Sequence, residues 1–592
     1  MIGALACQRL QGRCYHAAMK SSHPEGETAF VVADARRDPF YYLVNLESVL
    51  RWVQKRYGDL LSAAERAFID TFFALSRAPR ALLVRMIMRK GEHFCTRGLA
   101  YDEIGEPSDA IKALSRAELV DTAPALSVTE LGTLFKRDEL AALIDDSDAL
   151  RLRKADLIER LSERFEAAAT PAEWQARTGR PLPDEVVALT VTPICERLRL
   201  MFFGNLRQQF SEFVLADLGL YRFETVPFTE DSRAFQSRAD IECYWRLHRL
   251  RERFDQGEAV ESIIADLPGP LIQSRWLESR RGRLLFTLAR HLERGGALEA
   301  AEALYAESVH GEARTRQARC LEGLSCFERA LSLAEKACAA PRSEAEQQQM
   351  ARLAVRLRRR LGRAALKAIK APAPDRLDLT LPRASSVERA VRDHLATPEA
   401  PVVYVENTLI NALFGLLCWE AIFAPLPGAF FHPFQSGPAD LARPTFYAQR
   451  EALFKHALAR LENDTWRSRV REQFHRRYGL QNPFVHWGAL TPELLELAMT
   501  CLPPRHLRLW FERLLRDVRA NRAGMPDLIR FHPHEQNASR YEMIEVKGPG
   551  DRLQDNQKRW LDFCLTHGMP VTVCHVRWAD TRTENDPGEA AP

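Results

Sequence analysis

Residues 524–578 constrain the fold of this 592-residue chain more than any other segment. A mostly apolar run, residues 528–531, is followed by a polar turn and then by residues 541–547, where apolar and polar side chains alternate. Such alternation predicts a strand. Apolar residues then recur at helical spacing in residues 551–566, and a last apolar run covers residues 571–576. The order hairpin, helix, strand predicts an α/β domain at this end of the chain.

Three charged residues of this segment stand where a hydrolytic site can form. Period two places Glu545 and Lys547 on one face of the second strand, and Asp527 follows a Gly-Met-Pro turn at the start of the partner strand. Two carboxylates on adjacent strands can bind a hard cation such as Mg²⁺ or Mn²⁺. A neighbouring lysine can position water and stabilise charge on a phosphate. Asp527, Glu545 and Lys547 are therefore candidate catalytic residues for phosphodiester hydrolysis, although Glu and Lys also alternate on many exposed strands.

A further carboxylate, Glu406, lies upstream. The spacing predicts a helix over residues 402–423 after a short extended start, and Glu406 would share a face with Ile410 and Leu413. A carboxylate on an apolar face is costly unless it is paired or bound to a metal ion. Glu406 is therefore predicted either to be a metal ligand or to cap the helix start, where acidic residues are favoured.

The N-terminal part of the chain shows mainly helical periodicity. We predict an N-terminal helical domain over residues 40–120 and two short helices over residues 125–168. Residues 170–184 carry Pro and Arg and are predicted to be a linker. Residues 186–220 are predicted to form one long helix.

From residue 241 to residue 369, one helical pattern follows another, which indicates a tetratricopeptide-like solenoid although the spacing is irregular. We assign residues 185–370 to this helical region. The Pro-rich, non-periodic residues 371–386 predict a domain boundary, and residues 387–580 the α/β domain. The fold class is thus multidomain, with a mostly α-helical N-terminal two-thirds followed by an α/β domain.

Three basic residues, Arg151, Arg153 and Lys154, stand just before the second helix of residues 125–168. A helix N-terminus offers free N–H groups and partial positive charge, which suit a phosphate. The helix pair resembles the SAP module, a small DNA-binding unit. An ordinary helical hairpin with a solvated basic loop shows the same pattern, and both interpretations stay open.

Other basic residues concentrate in the helical region. An arginine binds phosphate through two parallel hydrogen bonds, so as a group these residues are candidates for a DNA-backbone surface, although any single one fits a solvated helix face. They are Arg314, Arg316 and Arg319, together with Arg352, Arg356, Arg358, Arg359 and Arg360.

Composition excludes several classes of protein. No apolar run approaches the roughly 18 residues that span a membrane, and the first thirty residues contain no apolar secretory signal. The 12 cysteines form no CxxC pair and no Cys/His cluster, so reduced thiols are predicted and a structural zinc site is not. The net charge of +4 does not by itself indicate nucleic-acid binding. We expect a cytoplasmic protein, nucleoid-associated in a bacterium, with a disordered tail from residue 583.

The sequence resembles a known nuclease family. The stretches GMPDLIRF, IEVKGPGDRLQDNQKRWLDF and VTVCHV resemble the virus-type replication-repair nuclease (VRR-NUC) domain of the PD-(D/E)xK superfamily. Over about residues 40–580 the chain resembles the bacterial Fanconi-associated nuclease, in FYYLVNLESVLRWVQ, LSRAPRALLVRMIMRKGEHF, VLADLGLYRFE, VYVENTLINALFGLLCWEAIF and FQSGPADL. The resemblance implies an N-terminal helical region, a SAP module, a tetratricopeptide-like region and a PD-(D/E)xK nuclease domain.

The resemblance also implies an activity. Enzymes of this family cut DNA near a 5′ flap or a 5′ end, as structure-specific endonucleases and 5′-to-3′ exonucleases, and serve in interstrand cross-link repair. The implied partners are 5′-flap, branched or nicked DNA and 5′-phosphorylated ends. The chain lacks the Cys/His zinc module by which animal members bind ubiquitin, so ubiquitin binding is not expected.

Residue by residue, the family's metal-binding acid falls on Glu406, and its catalytic motif falls on Asp527, Glu545 and Lys547. The backbone carbonyl of Val546 is implied as a further metal ligand.

The resemblance also implies contacts to DNA. Gln557 would contact DNA or water at the metal, and Arg552 would contact a phosphate. The family's pocket for the 5′ phosphate is best matched by Arg314 and Arg316.

Two other functions use the same residues. A junction-resolving or restriction-like endonuclease would have the same catalytic core, but such an enzyme needs few extra domains, whereas this chain has a long helical region. A non-catalytic DNA-binding scaffold would not need the intact motif of Asp527, Glu545 and Lys547.

Overall fold

The computed structural model describes residues 38–144, 149–210, 221–271, 273–364, 373–536 and 540–579. Residues 211–220, the last part of the predicted long helix, and the tail from residue 583 lie outside these ranges. Within them, no helix has the length and apolar character needed to cross a membrane.

The N-terminal domain packs helices against a small antiparallel sheet whose strand order is β1-β3-β2. The helices are α1 (Tyr41–Tyr57), α2 (Ala63–Ala74), α3 (Arg77–Ile87) and α4 (Pro107–Arg116). The strands are β1 (His93–Cys95), β2 (Val120–Asp121) and β3 (Val186–Leu189).

Strand β3 corrects the prediction of one long helix from residue 186. Its four residues are all buried between β1 and β2 and therefore belong to the N-terminal domain rather than to the region predicted to begin at residue 185. A helix follows only at α9 (Thr192–Phe203), and it ends at Gly204, whose φ of 67° leaves helical geometry.

A compact module of short helices lies in the chain between β2 and β3 of the N-terminal domain and forms a separate hydrophobic cluster. Its helices are α5 (Val128–Leu134), α6 (Arg137–Ala141), α7 (Lys154–Arg164) and α8 (Pro171–Thr178). Helix α8 occupies the segment predicted to be a linker. Thr170 and Glu173 form a capping box at its start, and the fully buried Trp174 donates a hydrogen bond from Nε1 to the Leu126 carbonyl (2.9 Å).

The helical region contains the predicted succession of helices, and most of them pack on the next helix in the chain. They are α10 (Arg238–Asp255), α11 (Val260–Ala265), α12 (Arg275–Arg294), α13 (Leu298–Glu307), α14 (Ala313–Gly323), α15 (Phe327–Ala339) and α16 (Glu344–Arg360).

The C-terminal domain is built around a five-stranded sheet of order β4-β8-β7-β6-β5. Strand β8 is parallel to both of its neighbours, β4 and β7. Strand β6 is antiparallel to both of its neighbours, β7 and β5. The strands are β4 (Asp375–Leu381), β5 (Val402–Tyr404), β6 (Leu528–Phe531), β7 (Tyr541–Lys547) and β8 (Val571–Trp578). The helices are α17 (Val387–Leu395), α18 (Leu409–Leu417), α19 (Trp419–Ile422), α20 (Glu451–Ala459), α21 (Trp466–Arg477), α22 (Pro492–Cys501), α23 (Pro504–Arg516), α24 (Val518–Asn521) and α25 (Asp555–Thr566).

The hairpin β6–β7, helix α25 and strand β8 confirm the predicted order. Strand β4 was not predicted, and because it pairs with β8 the sheet begins at Asp375, not at residue 387. Both faces of the sheet are covered by hydrophobic clusters. Met543 packs in the larger cluster and Ile544 in the smaller one, which is the alternation that gives β7 its two faces.

Candidate active site

The candidate catalytic residues meet where β6 begins and β7 ends. Asp527 immediately precedes β6, and Glu545 and Lys547 lie at the C-terminal end of β7. All three side chains are buried: Asp527 is 8% exposed, Glu545 0% and Lys547 7%. Three buried charged groups this close are expensive unless they interact with one another or with a ligand.

Two contacts hold these residues together. The backbone N–H of Val546 donates a hydrogen bond to Oδ2 of Asp527 (2.8 Å), which ties the start of β6 to the end of β7. The Nζ atom of Lys547 lies 2.6 Å from Oε1 of Glu545. Asp527, Glu545 and Lys547 therefore form one group, as the sequence predicts.

Both carboxyl groups resist ionisation. Burial raises the pKa of Glu545 to about 7, and the negative charge of Asp527 adds to the rise while Lys547 opposes it. Burial likewise raises the pKa of Asp527 to about 6, although the Val546 N–H stabilises its carboxylate. The positive charge of Lys547 is not enough to offset the free-energy cost of ionising both buried carboxyl groups at once.

The chemistry of this pair fits a divalent cation. Oε1 of Glu545 contacts the Lys547 ammonium, whereas Oε2 is fully buried and has no hydrogen-bond partner. Buried acceptors without donors are rare in native proteins, and hard cations prefer such oxygen ligands. Asp527 and Glu545 are thus suited to hold the metal ion. Within the described ranges, however, no three His, Cys, Asp or Glu side chains are grouped closely enough to form a complete site.

Glu406 does not lie on a helix, contrary to prediction. It stands in the turn between β5 and α18, next to Asn407, whose φ of 52° interrupts any helical path. The Glu406 side chain is exposed and accepts hydrogen bonds from the Tyr404 hydroxyl (2.5 Å) and from Nδ2 of Asn407 (3.2 Å). Helix α18 begins only at Leu409, so the face expected to join Glu406 to Ile410 and Leu413 does not exist.

The turn of Glu406 nevertheless borders the site. The N–H of Val405 donates to the carbonyl of Asp527 (2.8 Å). The negative charge of Glu406 raises the pKa of both Asp527 and Glu545.

The segment that leads into Asp527 packs closely against helix α25. Gly524 has a φ of 92°, and a Cβ there would lie 2.7 Å from Nδ2 of Asn556 on α25. The Met525 N–H donates to Oδ1 of Asn407 (3.2 Å), and Nε1 of Trp560 donates to the Ala523 carbonyl (3.2 Å). Only glycine combines this backbone conformation with this proximity.

Helix α25 contacts the site through Gln557. Its Oε1 atom accepts hydrogen bonds from Nζ of Lys547 (3.2 Å) and from the Gln554 N–H (2.9 Å). Gln557 therefore orients the lysine. Arg552, in the turn before α25, is exposed.

The basic residues of the short-helix module lie together at the N-terminus of α7. Arg151 and Arg153 precede the helix, and Lys154 is its first residue. Arg153 forms an ion pair with Asp156 (3.0 Å) and stays largely exposed.

Arg314 and Arg316, predicted to hold a 5′ phosphate, are ion-paired. Arg314 contacts Glu346, which is almost fully buried (2.6 Å), and Arg316 lies 3.4 Å from Glu293. A phosphate at either arginine would have to replace a carboxylate that is already in place.

A cluster of arginines without acidic partners was missed by the sequence analysis. Arg280, Arg283, Arg443 and Arg519 form no ion pair in the described part of the chain, and neither does Arg207, which lies close to Arg280 and Arg283. We refer to Arg207, Arg280, Arg283, Arg443 and Arg519 as the arginine cluster. It spans the helical region and the C-terminal domain.

The members of the arginine cluster repel one another. Burial lowers the pKa of Arg280 to about 10, and the charges of Arg207, Arg283 and Arg443 add to this effect. Its guanidinium stacks on the Tyr244 ring at 3.7 Å. Such crowding is costly in the free protein and favours binding of an anion. No local sequence pattern distinguished these arginines from ion-paired ones.

Fold and site together define a metal-dependent nuclease domain of the PD-(D/E)xK class. Comparison with family models agrees, because the VRR-NUC domain matches residues 461–578 and the "FAN1, HTH domain" matches residues 40–121. The Fanconi-associated nuclease 1 homolog of Pseudomonas aeruginosa is 51% identical over 93% of this chain and 98% of its own length. The chain therefore belongs to the Fanconi-associated nuclease 1 family.

Other relatives support this assignment. The homolog of Arabidopsis thaliana is 23% identical over 90% of this chain and 67% of that protein. The crystal structure of paFAN1 bound to DNA with a gap and a 2-nt 5′ flap has a TM-score of 0.83 and 51% identity, covering 92% of this chain and 99% of that one. The protein is thus a structure-specific DNA nuclease with DNA as its partner, and its class requires a divalent metal ion.

Proposed function

We propose that this nuclease cuts DNA at 5′ flaps as an endonuclease, degrades it from 5′ ends as an exonuclease, and acts in interstrand cross-link repair. The observation that carries the proposal is the likeness, across nearly the whole chain, to paFAN1 bound to 5′-flap DNA. A likeness confined to the nuclease domain would support hydrolysis but not a substrate.

The catalytic roles follow from the chemistry of each residue. Asp527 and Glu545, with Glu406 after a rotamer change and the Val546 carbonyl, would hold Mg²⁺ or Mn²⁺, because this donor set is all oxygen. A divalent ion there supplies positive charge for the scissile phosphate and lowers the pKa of nearby water. Lys547, oriented by Gln557, donates to the phosphate and positions the attacking water.

We assign the 5′ phosphate to the arginine cluster rather than to Arg314 and Arg316. Binding at the cluster breaks no ion pair among the described residues and relieves repulsion among its arginines. Binding at Arg314 would expose the buried carboxylate of Glu346 to a second anion. Charge and burial support the assignment to the arginine cluster. Similarity to the family alone would not distinguish the cluster from Arg314 and Arg316.

The remaining DNA contacts are assigned to basic residues that are exposed or, for Lys154, partly exposed. Arg151, Arg153 and Lys154 lie at a helix N-terminus, where backbone N–H groups and side chains can share one phosphate. Arg552 is exposed beside the catalytic helix and is suited to a phosphate near the cut.

One experiment separates this proposal from a junction-resolving enzyme with the same core. Wild-type protein with Mg²⁺ or Mn²⁺ is given a 5′ flap, a nicked duplex and a four-way junction of equal length. Rapid cutting of the flap and slow cutting of the junction is the expected result. Preferential cutting of the junction would show that the substrate assignment is wrong, whereas cutting of none would favour a DNA-binding scaffold.

A further inference from the structure

One face of helix α16 forms a polar seam with the nuclease domain. Glu344, Gln348 and Arg352 are spaced by four residues and therefore lie on a single face of the helix. Their partners across the seam are Arg513 (2.6 Å), Arg559 (2.7 Å) and Asp555 (2.7 and 2.8 Å) respectively.

The contact of Arg352 differs from that of its neighbour one turn away. Both arginines form two parallel hydrogen bonds with a carboxylate, but Arg352 binds Asp555 in the nuclease domain, whereas Arg356 binds Glu322 inside the helical region (2.8 and 2.6 Å). Both arginine side chains are 51% exposed. The sequence suggests the same DNA-backbone role for both, but their partners differ in domain.

The partner of Arg352 stands close to the catalytic lysine. Asp555 is the first residue of α25, and Gln557 follows two residues later in the same helical turn. Oε1 of Gln557 accepts the hydrogen bond from Nζ of Lys547 (3.2 Å). Arg352 thus acts on the same helical turn that orients Lys547.

We propose that Arg352 is a positioning residue for the nuclease centre: from the helical region it fixes the first turn of α25, and through Gln557 it fixes Lys547. A bidentate arginine–carboxylate pair restrains geometry in a way that a single contact does not. An exposed pair of this kind adds little to stability, so its value lies in placement. The inference depends on the proposed catalytic role of Lys547.

The test compares Arg352→Ala with its matched control, Arg356→Ala. Single-turnover cleavage of 5′-flap DNA at saturating enzyme, the Kd for the same DNA with Ca²⁺ in place of Mg²⁺, and Tm are measured for each. We expect Arg352→Ala to slow cleavage by about tenfold, within the range that misplacement of a catalytic group produces, with Kd and Tm near wild type. Arg356→Ala removes an equally exposed arginine whose partner, Glu322, lies in the helical region, so at saturating enzyme it should cleave several times faster than Arg352→Ala even where it weakens DNA binding.

Two further variants exclude a general structural effect. The charge swap Arg352→Asp with Asp555→Arg should recover most of the cleavage rate that Arg352→Asp loses. In a Lys547→Ala background, Arg352→Ala should cause no further loss, because both changes act through one group.

Two results would overturn the inference. Equal weakening of DNA binding in Arg352→Ala and Arg356→Ala would make both residues backbone contacts. A wild-type cleavage rate for Arg352→Ala would show that the seam does not position the site. If instead Lys547 has no catalytic role, Lys547→Ala alone would cleave 5′-flap DNA at the wild-type rate, which distinguishes that failure from failure of the inference about Arg352.

Discussion

The backbone N–H of Val546 donates a 2.8 Å hydrogen bond to Oδ2 of Asp527. This bond joins the strand that carries Glu545 and Lys547 to the residue that opens the partner strand. Beside it, Oε2 of Glu545 is buried without a hydrogen-bond partner, and such an oxygen is a suitable ligand for a hard cation. The site is therefore assembled by the strand hairpin itself.

The first prediction concerns the metal-free protein and pH. In the folded state burial raises the pKa of Glu545 from 4.5 to about 7, so the unfolded chain releases this proton at lower pH than the folded chain. Glu545 should then lower the stability by up to about 3 kcal/mol as pH rises from about 4.5 to 7, and the raised pKa of Asp527, about 6, should add to the loss at lower pH in this range. Urea unfolding in chelator across this pH range measures the effect.

Matched variants define the source of this pH dependence. Glu545→Gln should remove much of it, since the amide does not titrate, whereas Glu406→Gln changes an exposed carboxyl and should retain it. Saturating Mg²⁺ should restore stability above pH 7 by binding the folded state. A pH dependence unchanged in Glu545→Gln would place the titrating group elsewhere.

The second prediction concerns the arginine cluster. Replacing Arg283 and Arg519 with Ala removes two exposed members from two different domains and should weaken cutting most on 5′-phosphorylated ends. The salt dependence of DNA binding should become shallower because fewer counterions are released. Cleavage of phosphorylated and unphosphorylated ends is compared at several salt concentrations. An equal loss on both ends would make these arginines general backbone contacts.

The third prediction concerns Arg314. Arg314→Ala leaves Glu346 buried without its partner and should destabilise the protein by about 3–5 kcal/mol. Replacing Arg314 and Glu346 together, with Met and Gln, should recover much of the loss. Thermal unfolding measures both variants. Normal stability of Arg314→Ala, with loss of preference for 5′-phosphorylated ends, would return the phosphate site to Arg314.

The fourth prediction compares two glycines with similar backbone conformation. Gly524 and Gly550 have φ of 92° and 86°, but an added Cβ meets Asn556 only at Gly524 and meets nothing within 4 Å at Gly550. Gly550→Ala should cost about 1 kcal/mol of backbone strain. Gly524→Ala should cost more and also slow cleavage, because α25 or the Asp527 strand must move. Equal effects in unfolding and cleavage assays would show that the close approach is unimportant.

Local patterns explain what the sequence predicted well. The hairpin, α25 and β8 have clear periodicity, so Asp527, Glu545 and Lys547 could be placed on neighbouring strands before the structure was known. Strand β4 was missed because it is an exposed edge strand within a Pro-rich stretch. Helix α8 was missed although its capping box, Thr170 to Glu173, is present in the sequence.

Tertiary contacts explain what it could not predict. The turn at Asn407 removes Glu406 from the apolar helix that its spacing suggested. The partners of Arg314 and Arg352 lie 32 and 203 residues away, so no local pattern indicates that these arginines are ion-paired. The arginines of the cluster come together only in the folded chain, from four segments.

The central claim is that Asp527 belongs to the catalytic centre, and the cleavage rate of Asp527→Ala on 5′-flap DNA tests it most directly. The variant removes a proposed metal ligand but no arginine assigned to phosphate binding, so it should bind the DNA like wild type and cut it at least roughly a hundredfold more slowly. Relief of repulsion with Glu545 should leave the metal-free variant at least as stable as wild type. Cleavage by Asp527→Ala at close to the wild-type rate would contradict the assignment of this motif as the active site.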